Sequence, residues 1–174
     1  MSKTFSALGI HKELEARLAK LEITVPTTVQ EKTIPFILYK KKDMVVLAKT
    51  GTGKTAAFGL PLLQKINTDE KHIQVLILAP TRELGHQIYN NLLSFASEEQ
   101  KGKIISICGG IPIKPQIEAI KKNPNIVIAT PGRLVDLMKR EAINIKEINY
   151  FVLDEADEMV SALKEEVDTI IKEI

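Results

Sequence analysis

Short apolar runs separated by segments of helical spacing organise the whole chain. Five runs are apolar and partly β-branched: 44–48, 75–79, 104–108, 126–129 and 150–154. They lack the alternation of apolar and polar residues that is typical of a strand with one solvent-exposed face. Runs of this kind predict strands covered on both faces. Because helical segments alternate with them, the pattern predicts an α/β fold, a three-layer parallel sheet wrapped by helices.

The helical segments are recognised by apolar residues three or four positions apart. Examples are the two sets Leu84, Ile88, Leu92, Phe95 and Ile113, Ile117, Ile120. Two further helices are predicted at 8–21 and 28–39, before the first apolar run. We interpret these stripes as core-facing. No repeat and no Pro/Gly/Ser-rich linker interrupts the sequence, so residues 1–174 are treated as one domain.

Composition agrees with a single soluble domain. The chain has 174 residues, of which 44% are hydrophobic and 26% charged, enough to bury a core. No apolar run approaches the roughly eighteen residues that cross a bilayer, and the first residues lack the apolar stretch of a signal peptide. We therefore expect a cytoplasmic protein without a membrane partner. One cysteine and three histidines exclude an internal disulfide and a zinc-ligand set, so a metal must be bound through oxygen.

Charge is divided unevenly along the chain. The formal net charge is +2, but residues 154–174 carry −6 and residues 1–153 carry +8. A basic body of this kind suits a polyanionic partner.

A phosphate-binding loop follows the first apolar run. Residues 48–55 read AKTGTGKT, with Ala48 where the common pattern has its first glycine. Gly51 and Gly53 allow the backbone to fold around an anion, and the amides of the loop and the following helix face phosphate oxygens. Lys54 is expected at the β and γ phosphates, and Thr55 at Mg²⁺. The predicted nucleotide contacts here are Lys49, Thr50, Gly51, Thr52, Gly53, Lys54, Thr55 and Ala56.

An acidic pair ends the last apolar run. Asp154 is placed to reach the Mg²⁺ shell, and Glu155 to activate a water for attack on the γ phosphate. Such a pair can also be a simple helix cap, but a phosphate-binding loop in the same chain favours the catalytic interpretation, with Lys54, Asp154 and Glu155 as the catalytic residues. No Asn/Thr-Lys-x-Asp element for guanine is present, so ATP is the expected nucleotide.

At 154–157, Asp-Glu-Ala-Asp, the sequence resembles the DEAD-box RNA helicases, and the resemblance covers nearly the whole chain in order. It implies a RecA-like P-loop NTPase domain, the amino-terminal ATP-binding domain of a helicase. The segment 26–30 is similar to the family's adenine-reading Q motif, which includes Thr27 and in which Gln30 would pair with the base. A glutamine amide offers the donor and acceptor that match the adenine edge. Phe5 matches the family's isolated upstream aromatic.

Three turns resemble the family's RNA-backbone contacts. They contain Pro80, Thr81, Arg82, Gly109, Gly110, Thr130, Pro131, Gly132 and Arg133. From the residues alone, Thr81 and Thr130 are expected to cap the following helices and Pro131 to take a first helical position. Helix amides and an arginine would then face an anion at each turn, so we expect sequence-independent RNA binding. Asp157 is expected to couple the ATP site to the RNA face.

The chain departs from the family pattern in places. Glu22 stands where the family has Gly, Thr28 where it has Pro, and Gly85 where Ala is common. The family also continues to a Ser-Ala-Thr strand, placed between the strand before the loop and the strand ending in Asp154, and to a second domain that completes the ATP site. We therefore expect a domain that is incomplete at its C-terminus. The position of the Ser-Ala-Thr strand in the sheet would then be a gap or be occupied by another segment.

The resemblance implies a chain that binds ATP-Mg²⁺ and single-stranded RNA and, with the second helicase domain, hydrolyses ATP to unwind short duplexes. Alone the chain would hydrolyse ATP weakly or not at all. The alternative function is a fragment that binds ATP and RNA without catalysis of its own. Three other functions stay open: a DNA helicase, a P-loop kinase or transporter ATPase, and a non-enzymatic RNA- or partner-binding module.

Overall fold

The computed structural model describes residues 3–174. After a short 3₁₀ helix at Ser6–Leu8, the elements are α1 (Lys12–Lys20), α2 (Thr28–Tyr39), α3 (Lys54–Lys65), β1 (Val75–Leu78), α4 (Arg82–Phe95), α5 (Glu98–Lys101), β2 (Ile104–Ile107), α6 (Ile113–Ile120), β3 (Ile126–Ala129), α7 (Pro131–Lys139), β4 (Tyr150–Leu153), α8 (Ala156–Ala162) and α9 (Lys164–Ile171). The chain divides into two compact units. The first contains the residues up to Lys65 and Asn91–Ser97, and the second contains Ile66–Asn90 and Glu98–Ile174.

In the first unit, α2 packs against α3, and α3 approaches the end of α4 at Leu92. Gly59 of α3 allows this approach, because a side chain there would overlap Leu92 of α4. The apolar core of this unit includes Phe5, Leu8, Leu14, Leu18, Ile34, Leu60, Leu63 and Leu92.

The predicted helix at 8–21 is shorter at its start. Gly9 has a left-handed backbone with φ +97°, and His11 is extended, so α1 begins at Lys12. At the other end the amide of Glu22 bonds to the carbonyl of Ala19 and that of Ile23 to the carbonyl of Leu18. Glu22 itself has φ +61°. This is a Schellman ending, in which the left-handed residue is usually glycine, and the position is the one where the family has glycine.

The second unit is built on a parallel sheet with the strand order β2-β3-β1-β4. Val75 pairs with Ile126 on one side and with Tyr150 on the other, and Ile104 pairs with Ile126. The central strands β1 and β3 are fully buried, as predicted, whereas β4 at the edge is only half-buried.

Helices cover both faces of this sheet. On one face Leu76, Leu78 and Val127 pack in a cluster with residues of α7, α8 and α9, namely Leu134, Leu137, Met159, Val167 and Ile170. On the other face α4 lies close to β3, since a side chain on Gly85 would be 3.8 Å from Ile128 and 3.1 Å from the Cys108 sulfur. The predicted parallel sheet flanked by helices is therefore confirmed.

The predicted strand at 44–48 is wrong. Within residues 3–174 it pairs with no other strand, and Val45 and Leu47 are 89% and 94% exposed. A strand is held by hydrogen bonds from its neighbours. Without a neighbouring strand among residues 3–174, this apolar run is not held in the sheet.

Candidate functional site

The phosphate-binding loop lies in the first unit and leads directly into α3. Gly51 and Gly53 have φ of +78° and +87°, so both glycines sit where other residues are strained. The Thr52 hydroxyl donates a 2.7 Å hydrogen bond to the Lys49 carbonyl and closes the loop. Lys54 and Thr55 are half-buried in the first turn of α3, whose leading amides have no partner within the helix and can bind an anion.

The adenine-reading segment contacts this loop. Thr27 and Gln30 form a capping box at the start of α2, in which the Thr27 amide donates to Gln30 Oε1 over 2.9 Å. Gln30 Nε2 donates to the Gly53 carbonyl over 3.1 Å. Gln30 is buried, and its amide retains a second hydrogen and a second lone pair for a base edge. The structure thus brings Thr27 and Gln30 to the phosphate-binding loop.

Phe5 is placed differently. Its side chain is 0% exposed, and its carbonyl accepts hydrogen bonds from the amides of Leu8 and Ile10. The ring is therefore part of the core of the first unit and has no exposed surface for a nucleotide.

A concave surface of about 600 Å³ lies beside the adenine-reading segment, within the first unit. Its walls are the first turns of α2 and the unpaired segment at 44–48, and Thr52 of the phosphate-binding loop lines it as well. The cavity volume is in the range of ligand sites in proteins.

The acidic pair lies in the second unit, directly after β4. Asp154 is 8% exposed, and its Oδ1 accepts a 3.2 Å hydrogen bond from the Glu155 amide. Glu155 has a left-handed backbone with φ +52°, a strained conformation for a residue other than glycine. Asp157 is exposed in the first turn of α8.

The three turns predicted to contact RNA lie together in the second unit. The Thr81 hydroxyl accepts from the Leu84 amide and caps α4, as predicted. Gly110 has φ +78°, and a side chain on it would be 3.2 Å from the Arg82 guanidinium. The first turn therefore lies against the second.

The second and third turns are joined by two hydrogen bonds. The Gly109 amide donates to the Thr130 hydroxyl over 3.1 Å, and Arg133 Nη2 donates to the Ile111 carbonyl over 2.9 Å. Thr130 is the N-cap residue of α7, as predicted, but its hydroxyl accepts from Gly109 and makes no cap hydrogen bond. Pro131 is the first residue of α7, as predicted.

Arg82 also faces a carboxylate. Its guanidinium lies 3.2 Å from Glu83 Oε1. The backbone amide of Glu83, and then the Arg82 guanidinium, lower the pKa of the Glu83 carboxyl through hydrogen bonds. Glu83 is therefore charged at neutral pH, and an anion that binds Arg82 must compete with it.

One residue near these turns was missed from the sequence. Gln116 is buried on α6 and donates from Nε2 to the Cys108 carbonyl. A polar residue among Ile113, Ile117 and Ile120 was the available signal for Gln116.

No helix in residues 3–174 has the length and apolar character to span a bilayer.

Comparison with known proteins identifies the family. The family model described as DEAD/DEAH box helicase matches residues 27–174. The chain belongs to the DEAD/DEAH box helicase family. The resemblance and the RecA-like fold predicted from the sequence are thereby confirmed.

Individual DEAD-box proteins match nearly all of the chain. It is 45% identical over 172 residues to the DEAD-box ATP-dependent RNA helicase CshA of Streptococcus pneumoniae, covering 98% of this chain and 32% of that protein. It is 39% identical to CshA of Bacillus subtilis, covering 100% and 35%. The chain thus spans about a third of the length of the curated relatives it matches.

Solved DEAD-box structures share the fold. A DEAD box protein from the hyperthermophile Methanococcus jannaschii superposes with a TM-score of 0.91 at 37% identity, over 99% of this chain and 47% of that one. A variant of S. cerevisiae Dbp5, bound to RNA and ADP-BeF₃, superposes with a TM-score of 0.87 at 30% identity, over 99% and 44%.

Oxygen donors are available for a magnesium ion. In the described chain no three His, Cys, Asp or Glu side chains are grouped as metal ligands. Mg²⁺ in nucleotide sites of this kind takes one or two protein oxygens together with phosphates and water. The buried Asp154 carboxylate of the second unit and the Thr55 hydroxyl of the first unit each have this oxygen-donor chemistry.

Proposed function

We propose that residues 1–174 are the amino-terminal ATP-binding domain of an ATP-dependent RNA helicase. The observation that carries the proposal is the contact among the three turns after β1, β2 and β3, where Arg82 lies against Gly110 and Thr130 bonds to Gly109. A P-loop kinase or transporter ATPase has no need of this second group of anion-binding turns. The family membership and the relatives named as RNA helicases support the same function.

In this proposal the phosphate-binding loop holds ATP. The amides of residues 49–56 surround the phosphates, and Lys54 neutralises charge on the β and γ groups. Thr55 and Asp154 would hold Mg²⁺, in part through water. Mg²⁺, when bound, supplies positive charge that offsets the charge developing on the transferred phosphate.

Glu155 is the proposed group that polarises the attacking water. Its left-handed backbone turns the chain sharply between β4 and α8, and the buried Asp154 carboxylate accepts the Glu155 amide. Two neighbouring carboxylates therefore have separate roles, one toward the ion and one toward the water. Asp157, exposed on α8, is proposed to couple the ATP site with the RNA face.

Adenine would be recognised by Gln30, with Thr27 fixing the start of α2. The Gln30 amide already bonds to the Gly53 carbonyl. A base that pairs with Gln30 is therefore linked through this side chain to the phosphate-binding loop. Phe5, which is fully buried, would support this segment by packing only.

RNA would be bound by backbone groups and arginines at the three turns. The proposed contacts are Pro80, Thr81, Arg82, Gly109, Gly110, Thr130, Pro131, Gly132 and Arg133. Groups of this kind recognise phosphates and 2′-hydroxyls, so binding would be largely independent of base sequence. A second helicase domain would complete the ATP site for duplex unwinding, and the proposed location is the cytoplasm.

The test is nucleotide and nucleic-acid binding by the chain. Calorimetric titration with ADP should show binding that Mg²⁺ strengthens and that Lys54→Ala abolishes, whereas Lys122→Ala, an exposed lysine in the second unit, leaves it intact. Single-stranded RNA should bind more tightly than DNA of the same sequence. Equal binding of RNA and DNA supports a DNA helicase, and loss of all nucleotide binding supports a non-enzymatic module.

A further inference from the structure

Gln116 occupies a position where an apolar residue is expected. It lies on α6 beside Ile113, Ile117 and Ile120, three isoleucines that pack toward the core of the second unit. The side chain is nonetheless only 5% exposed. An amide at such a place needs hydrogen-bond partners, because burial removes it from water.

Only half of the Gln116 amide is satisfied. Nε2 donates to the Cys108 carbonyl over 3.0 Å, whereas Oε1 is buried without a partner in the described chain. A buried acceptor without a donor is unfavourable for stability. Features that reduce stability are concentrated at functional sites. We therefore expect a function of the Gln116–Cys108 hydrogen bond other than packing.

The Cys108 carbonyl is where the glycine turn begins. Gly109 and Gly110 follow directly, and Gly110 has φ +78°. Paired glycines are flexible when nothing holds them. In this structure Thr130 holds the Gly109 amide and Arg133 holds the Ile111 carbonyl, so Gln116 supplies a third attachment, on the side of α6.

We propose that Gln116 is a positioning residue for the glycine turn. By fixing the Cys108 carbonyl it sets the direction of the Gly109 and Gly110 backbone, which presents the Gly110 amide to a phosphate of single-stranded RNA. This inference rests on the proposed RNA-binding function. Gln116 itself does not contact the nucleic acid.

The experiment compares two glutamines that attach a loop through its backbone. Gln116→Met removes the amide with little change in size, and Gln64→Met does the same in the first unit, where Gln64 bonds to the Gly9 carbonyl and the His11 amide. Gln116→Leu is a second variant that also removes the donor, with a side chain of similar size and no polar group. Each protein is titrated with a single-stranded RNA oligonucleotide and with ADP, and amide hydrogen exchange at 109–111 is measured by NMR.

Loss of one such hydrogen bond should weaken RNA binding about three- to tenfold in both Gln116 variants. ADP affinity should be unchanged, and exchange at 109–111 should become faster. Gln64→Met should change neither RNA binding nor exchange in the turn. The proposal is overturned if Gln116→Met binds RNA as the unaltered chain does, or no worse than Gln64→Met.

The exchange measurement separates this proposal from the function on which it rests. If the unaltered chain binds no RNA, the proposed RNA-binding function fails. Faster exchange at 109–111 in Gln116→Met then still supports the attachment of the turn, and unchanged exchange overturns it.

Discussion

Gln30 and Gly53 are in direct contact, since the Gln30 side-chain amide donates a 3.1 Å hydrogen bond to the Gly53 carbonyl. The same carbonyl accepts the Ala57 amide in the first turn of α3. A side chain on Gly53 would overlap Gln30 Nε2. Glycine is therefore required here for two separate reasons, its left-handed backbone and the close approach of Gln30.

The two loop glycines allow these reasons to be separated. Gly51→Ala meets no atom within 4 Å and carries only the backbone strain of φ +78°, worth about 1–2 kcal/mol. Gly53→Ala carries a similar strain and also displaces Gln30, which should cost a further 1–3 kcal/mol or so. Urea denaturation measures the difference, and ADP titration should show the larger loss of affinity for Gly53→Ala. Equal losses in the two variants would contradict the contact with Gln30.

Arg82 should carry part of the salt dependence of RNA binding. Arg82→Gln is expected to reduce the slope of log affinity against log salt concentration by about 0.7, the value for one phosphate contact to a single strand. Arg140→Gln is the matched control, because Arg140 lies on the same unit, is paired with Asp136 and changes the net charge equally. Fluorescence anisotropy at several salt concentrations gives both slopes, and a similar change in the two variants would argue against a phosphate contact at Arg82.

Glu22 should be replaceable by glycine with a gain in stability. Its φ of +61° is strained for glutamate and free of strain for glycine, so Glu22→Gly should raise the free energy of unfolding by roughly 0.5–1 kcal/mol. Glu22→Ala also removes the carboxylate but keeps the strain, and it should bring no such gain. Thermal denaturation is the measurement, and a gain of the same size in Glu22→Ala would assign the effect to charge.

Glu155 should matter for hydrolysis and not for binding. Glu155→Gln is expected to slow ATP hydrolysis by about 10²–10⁴-fold, the usual contribution of a general base, while ADP affinity stays within about twofold. Glu158→Gln on the helix that follows Glu155, an exposed residue outside the proposed site, is the control. Phosphate release is followed with protein in excess of ATP, so that slow turnover is still detected. An unchanged rate of phosphate release in Glu155→Gln would show that Glu155 does not take part in ATP hydrolysis.

Local requirements made much of the site predictable. The loop glycines were expected because tight turns around phosphates need positive φ, and Gly51 and Gly53 have it. Buried parallel strands were recognised from their continuous apolar runs. Thr81 was expected as a cap, and it caps α4.

Relationships between distant segments could not be predicted in this way. The bond of Gln30 to Gly53 depends on how α2 packs against α3. Thr130 is of a residue type that commonly caps a helix. Its hydroxyl instead accepts a hydrogen bond from the amide of Gly109, 21 positions earlier in the chain. The run at 44–48 has the composition of a buried strand and lacks the neighbour that would make it one.

That unpaired run has a consequence for how the chain behaves in solution. Val45 and Leu47 face water on a segment with no strand partner in residues 3–174. Exposed apolar backbone of this kind is a template for pairing with another chain. Self-association should therefore grow with protein concentration, and Val45→Lys should suppress it more than Val25→Lys, a change at an exposed valine outside this run.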